Sequence, residues 1–137
     1  MAIIGIRDSR TGLEKRALQI IVAIGSLVPM TAGAAGIILG PALLGDNVAG
    51  NTDLDSHFRY LSGLLLGIGI SYASAVPGIE RRRGRFLLLG AIIVLGGIGR
   101  LLSLVVRGSP SPSMIGALVM ELLVTPCLTL WQWRLAR

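Results

Sequence analysis

Two ionisable residues stand inside long apolar runs, and their types and spacing pose the first question of chemistry. Arg100 lies in GGIGRLLSLVVRG, from Gly96 to Gly108, and Glu121 lies in MELLVTP, from Met120 to Pro126. A guanidinium in hydrocarbon costs roughly 2.5–3.5 kcal/mol on insertion scales, so it requires a partner or water. A carboxylate answers both its charge and its planar fork of donors. A second polar group occurs in NTDLDSHFRYLSG, where Asp53, Asp55, His57 and Arg59 fall within seven residues and Tyr60 follows. Together these residue types support binding of a polar or anionic ligand, with Glu121 or His57 able to exchange a proton.

The elements that must position them are membrane helices. The chain has 137 residues, enough for one domain, and a mean hydropathy of +0.75. Its apolar residues come in long runs instead of amphipathic stripes. A hydrocarbon core about 30 Å thick takes roughly 20 helical residues. Four stretches qualify, at about 17–39, 58–76, 86–106 and 113–133. Lipid leaves no partner for free backbone groups, so each stretch is expected to be helical. The connections are short except at about Gly40–His57. The expectation is therefore an all-α, integral-membrane four-helix bundle, up-down-up-down, occupying residues 1–137 as a single transmembrane domain.

Charge sets the orientation. Ten of the thirteen basic residues fall on one side of these spans: Arg7, Arg10, Lys15, Arg16, Arg81, Arg82, Arg83, Arg85, Arg134 and Arg137. Arg59 and Arg107 fall on the other side, and Arg100 lies within the membrane. Positively charged loops stay inside, so both termini are expected in the cytoplasm. Trp131 and Trp133 would sit in the inner interfacial belt and Tyr60 near the outer one. The first span has signal-peptide features, with Ala32–Ala34 as an A-x-A site, but its apolar run continues to Leu44. It is read as a retained helix.

Depth counting then pairs the two buried charges. Arg100 lies about six residues before the outer end of the third span, roughly 9–10 Å deep. Glu121 lies about eight residues into the fourth span from the same side, roughly 12 Å deep. A short loop makes the two helices neighbours, so an intramembrane ion pair between Arg100 and Glu121 is expected. Gly96 and Ser103 share a face with Arg100, and Ala117 and Thr125 share one with Glu121. Pro126 removes a backbone bond and should bend the helix just inside Glu121. Helix packing is assigned to Gly33 and Gly36 in the stripe Ser26, Pro29, Gly33, Gly36 and Gly40, to Gly63 and Gly67, and to Gly96.

Topology places the segment around His57 on the same outer side as Arg100 and Glu121. The expected ligand-binding group is therefore Arg100, Glu121, His57, Arg59, Asp55, Tyr60 and Asp53. Asp55 or Ser56 would also suit the cap of the second helix. No metal spacing is present among these residues, no catalytic set is assigned, and no cofactor is expected. GIG and GGIG follow no strand, so they are not nucleotide loops. Cys127 has no partner for a disulfide and reads as a small buried apolar residue. Six aromatic residues offer no stacking platform for bases, and the basic balance is explained by topology instead of nucleic acid.

The stretches LDSHFRYLSGLLLGIG, GGIGRLLSLV and MELLVTP resemble a bacterial family of small four-helix integral membrane proteins catalogued as a domain of unknown function. That family is similar in architecture to the DoxX and DoxD proteins. The resemblance runs from about Leu13 to Trp133 and rests on DSHFRY, Arg100, and Glu121 with Pro126. It implies a multi-pass helical bundle of the bacterial inner membrane and supplies no reaction.

Three functions follow from these residues. The first is binding or translocation of a small polar, anionic or lipid-like ligand in the outer half of the bundle. The second is an accessory subunit of a larger membrane complex, with Arg100–Glu121 as an internal tie and glycine-rich faces docking a protein partner or a second copy. The third, an enzyme using His57 or Glu121 as acid or base, is weakest, because no nucleophile–base pair or redox cysteine pair is present. The bilayer is the partner common to all three.

Overall fold

The computed structural model describes the backbone of residues 2–45 and 50–136 and the side chains of 11–45 and 50–136. Arg137 lies outside the described residues, and Arg7 and Arg10 lie outside those with described side chains. The described backbone is helical, with no strand. Helix α1 spans Ala2–Leu39 and runs into a 3-10 turn at Gly40–Leu44. Helix α2 spans Thr52–Ala73, and a short 3-10 turn follows at Ile79–Arg81. Helix α3 spans Arg83–Arg107, and α4 spans Pro112–Leu135.

Among the described residues three helices are long and apolar enough to cross a membrane: Thr11–Leu44, Arg83–Arg107 and Pro112–Leu135. This is the composition of a membrane protein. Helix α2, expected as a span over 58–76, does not join them. It ends at Ala73, and its first turns carry Asp53, Asp55, His57 and Arg59. The apolar remainder, from Leu61, is shorter than a hydrocarbon core requires. Helix α1 is the reverse case. Its 38 residues measure about 57 Å, nearly twice that core.

The chain forms two compact units, 1–19 with 77–137 and 20–76. The second is an antiparallel hairpin of α1 and α2. Ser26 and Met30 lie against Gly69, Gly33 against Ser62 and Leu66, and Gly40 against Asp55 and Arg59. The buried positions Val22, Ser26, Gly33 and Gly36 repeat at helical intervals along α1, and Gly40 continues them into the turn. Asn51 caps α2, its side chain accepting from the N–H groups of Asp53 and Leu54. The cap is thus Asn51, not Asp55 or Ser56, because only a residue preceding the helix can reach those free donors.

The first unit is an antiparallel hairpin of α3 and α4, with the Ile79–Arg81 turn and the start of α1. Gly90 lies against Thr129, and Gly97 against Leu122 and Glu121. Leu18, Ile79, Phe86 and Gln132 are fully buried. Gln132 Nε2 donates to the Ile79 carbonyl at 2.8 Å, which ties the turn to α4. Lys15 pairs with Glu80 at 3.0 Å. Glu80's own backbone N–H, and then the Lys15 ammonium, hold its carboxyl below the usual carboxylate range.

Candidate functional site

The site on α3 and α4 begins with close helix approach. A Cβ at Gly97 would lie 2.9 Å from Glu121 Cβ and 2.8 Å from Leu122 Cδ2. Only glycine fits there, and its absence of a side chain lets α4 press against α3. Arg100 follows Gly97 by three residues, so it projects beside this contact. Arg100 Nε donates to Glu121 Oε2 at 3.0 Å, and Nη2 donates to Oε1 at 3.1 Å. This is a bidentate fork, the geometry that matches a guanidinium to a carboxylate. The side chains are 33% and 20% exposed, so the pair is only partly shielded.

The remaining edge of the guanidinium ends differently. Arg100 Nη1 lies 2.9 Å from Met114 Sδ, donating to a thioether. Sulfur of this kind is a weak acceptor, so this donor is the least well satisfied of the three. An oxygen placed there would make a stronger bond.

Glu121 itself sits in a π turn. Residues Met120–Val124 leave the α-helical pattern, and the Thr125 N–H bonds to the Met120 carbonyl. Thr125 Oγ1 donates to the same carbonyl at 2.9 Å. The cause is Pro126, which has no N–H and whose ring would press on the carbonyl four residues back, that of Leu122. Widening the turn by one residue relieves that clash. The sequence predicts a bend at this point; the structure shows an inserted residue, which rotates Glu121 relative to the helix below it.

The residues near the start of α2 form a separate group within the other unit. Arg59 Nε donates to Asp55 Oδ2 at 2.8 Å, and Nη2 donates to Oδ1 at 3.2 Å. Arg59 Nη1 also donates to the carbonyls of Ile37 and Ile38 at the end of α1, the latter at 3.1 Å. These carbonyls have no partner within their own helix, and a cation suits that end of the helix dipole. Gly40, with φ +61°, makes the turn beneath this guanidinium, and a Cβ there would fall 2.6 Å from Asp55 Oδ1. The Arg59 hydrogen bond holds the Asp55 carboxyl below its ordinary range. His57 and Tyr60 are exposed, with ring centroids 6.4 Å apart, and Asp53 is exposed in the first turn.

Of the glycines read as packing positions, Gly33 and Gly36 are buried against α2, while Gly63, Gly67 and Gly96 have open space where a Cβ would stand. The close contacts fall on Gly69 and Gly97 instead, one or two positions along. Ser26 is buried in the α1–α2 hairpin. Met114 carried no sequence signal, because a thioether reads as apolar. Gln132 carried a faint one, a polar residue in an apolar run. Among the described residues no group of three His, Cys, Asp or Glu side chains is arranged to hold a metal ion. Cys127 is exposed.

A family model described as Domain of unknown function (DUF4345) matches residues 17–132. No curated protein and no solved structure matched the chain. The match spans most of the sequence, and the chain belongs to that family.

Proposed function

We propose that this DUF4345 member is a multi-pass protein of the bacterial inner membrane that binds a small polar, anionic or lipid-like ligand at Arg100. In this reading α1 to α4 run up-down-up-down, α2 crossing with its polar first turns at the outer headgroups, and both termini face the cytoplasm. The ligand presents an oxygen acceptor to Arg100 Nη1 and displaces Met114 Sδ, while Glu121 keeps the other edge of the guanidinium in place. The observation that carries this is the contrast in Arg100's partners: two carboxylate oxygens on one side and a thioether sulfur on the other. Charged residues within spans mark functional sites because their cost is otherwise unrewarded. Glu121 fixes the net charge of the site near zero, which favours a neutral or singly charged head on an otherwise apolar molecule.

The test is native mass spectrometry of the protein extracted in mild detergent. The expected spectrum shows a reproducible small-molecule adduct that is absent from the Arg100→Leu/Glu121→Leu double variant, in which the charges are removed together. A protein that is bare, or whose every adduct persists in the double variant, overturns the binding role. Recovery of a second polypeptide in place of a small molecule supports the accessory-subunit reading, in which Arg100–Glu121 is a tie.

A further inference from the structure

The strongest charge on the α3–α4 hairpin lies far from Arg100, where α3 begins. Arg81, Arg82, Arg83, Gly84 and Arg85 are consecutive and exposed, with the Arg81 side chain 87% accessible. They are held between two fully buried residues, Ile79 and Phe86. The Gln132 bond to the Ile79 carbonyl fixes one side of this turn. On the other, the Arg83 guanidinium carbon lies 4.9 Å from the centre of the Trp133 ring, and exposed Arg134 is adjacent in sequence. The arginines are therefore a fixed surface and not a loose tail.

Glu80 is engaged by Lys15 at 3.0 Å and lies 4.0 Å from Arg81. Arg82 has no ion pair among the described residues. The first turn of α3 contains no acidic residue, and no side chain caps it. Arginines thus stand at the positive end of a 25-residue helix dipole, where an anion would be favoured. Directly beyond them, Leu87 and Leu88 are 46% and 63% exposed at the start of an apolar span.

We propose that Arg81, Arg82 and Arg83, with Arg134, form a docking surface for the headgroups of anionic membrane phospholipids. The headgroup phosphate takes paired N–H bonds from the guanidinia, as their planar forks favour. The acyl chains lie along Leu87 and Leu88. The apolar face next to the charge commits the occupant to a lipid and not to a free anion. The Arg83–Trp133 stack sits at the headgroup level, where indole rings concentrate. The proposal rests on the membrane reading above but not on a ligand at Arg100.

The protein in maltoside micelles is titrated with phosphatidylglycerol or phosphatidylcholine, and bound lipid is counted by native mass spectrometry. Phosphatidylglycerol is expected to bind more tightly. Arg82→Gln should weaken it about fivefold, and Arg81→Gln/Arg82→Gln by roughly the square of that. Arg107→Gln, an exposed charge at the far end of α3, should leave it unchanged. The lipid should also survive in Arg100→Leu/Glu121→Leu, which separates this surface from the Arg100 site. Equal binding of the two lipids, equal loss in Arg107→Gln, or displacement by excess inorganic phosphate each overturns the proposal. If the double variant loses its cooperative melt, Arg82→Gln alone gives the reading.

Discussion

Replacing Arg100 and Glu121, singly and together, is the perturbation whose outcome follows most directly from the geometry. Breaking a fully buried ion pair by removing one partner costs about 3–5 kcal/mol, because the other charge is stranded. Arg100 is 33% and Glu121 20% exposed, so part of that cost is relieved by solvent or headgroups, and roughly 2 kcal/mol is expected for each single variant. Arg100→Leu and Glu121→Leu together leave two leucines between apolar helices, and the double variant should lose no more than either single. The coupling is then about 2 kcal/mol, above the average of about 0.6 for polar pairs in membrane helices. The excess comes from two charge-assisted bonds at 3.0 and 3.1 Å in place of one neutral bond. The assay is unfolding in mixed micelles by dodecylsulfate titration, followed by circular dichroism. A double variant as unstable as the sum of the singles, with coupling under about 0.5 kcal/mol, refutes the argument that these charges stabilise each other.

The close approach at Gly97 predicts that Gly97→Ala destabilises the hairpin by about 1–3 kcal/mol, since the new Cβ meets Glu121 Cβ. Gly96→Ala, with open space at that position, should instead be neutral or stabilising by up to about 1 kcal/mol; thermal melts of the two variants in detergent make the comparison. Arg59→Leu removes the donors to Ile37 and Ile38 and leaves Asp55 unpaired, so it should lower the melting temperature and speed amide exchange at the end of α1. Glu80 supplies a pH test. Its carboxyl is held below the ordinary value of 4.5, so its contribution is complete above that value and is lost as pH falls through the folded-state value. The melting-temperature gap between the native protein and Glu80→Gln should therefore be open near pH 7 and close toward about pH 3. A gap that widens on acidification contradicts the sign.

How far these features were legible depended on the scale of the signal. Apolar runs as long as Arg83–Arg107 or Pro112–Leu135 leave little choice of structure, so their helices could be read directly. Depth counting brought Arg100 and Glu121 to similar levels because both helices have a regular rise. What could not be read was rotation. Gly96 and Gly97 stand four and three residues before Arg100, and both spacings place a residue on its face. Choosing between them needs the angle at which α4 crosses, which depends on contacts distributed along both helices. The same limit displaced Gly69 from Gly67. That Arg59 holds the end of α1 could not be read, because the carbonyls of Ile37 and Ile38 are backbone atoms that every sequence contains. Met114 was invisible for the opposite reason, since its chemistry matters only beside a guanidinium.

The π turn explains why these separate features belong together. In an uninterrupted α-helix each residue advances about 100°, so an inserted residue turns everything before it by that amount relative to everything after. The face of α4 that packs Thr129 against Gly90 is thus not the face a regular helix would present at Glu121. Pro126 forces the insertion, Thr125 gives the Met120 carbonyl two donors, and Gly97 leaves room for Glu121 to stand against α3. A proline within a helix, a widened turn and a glycine in a helix interior each cost stability in isolation. All three act at one carboxylate, and their joint effect is to set that carboxylate against Arg100. A bundle that required only apolar packing would gain nothing from this arrangement. The convergence of these costs on the Arg100–Glu121 fork supports the binding role proposed for it.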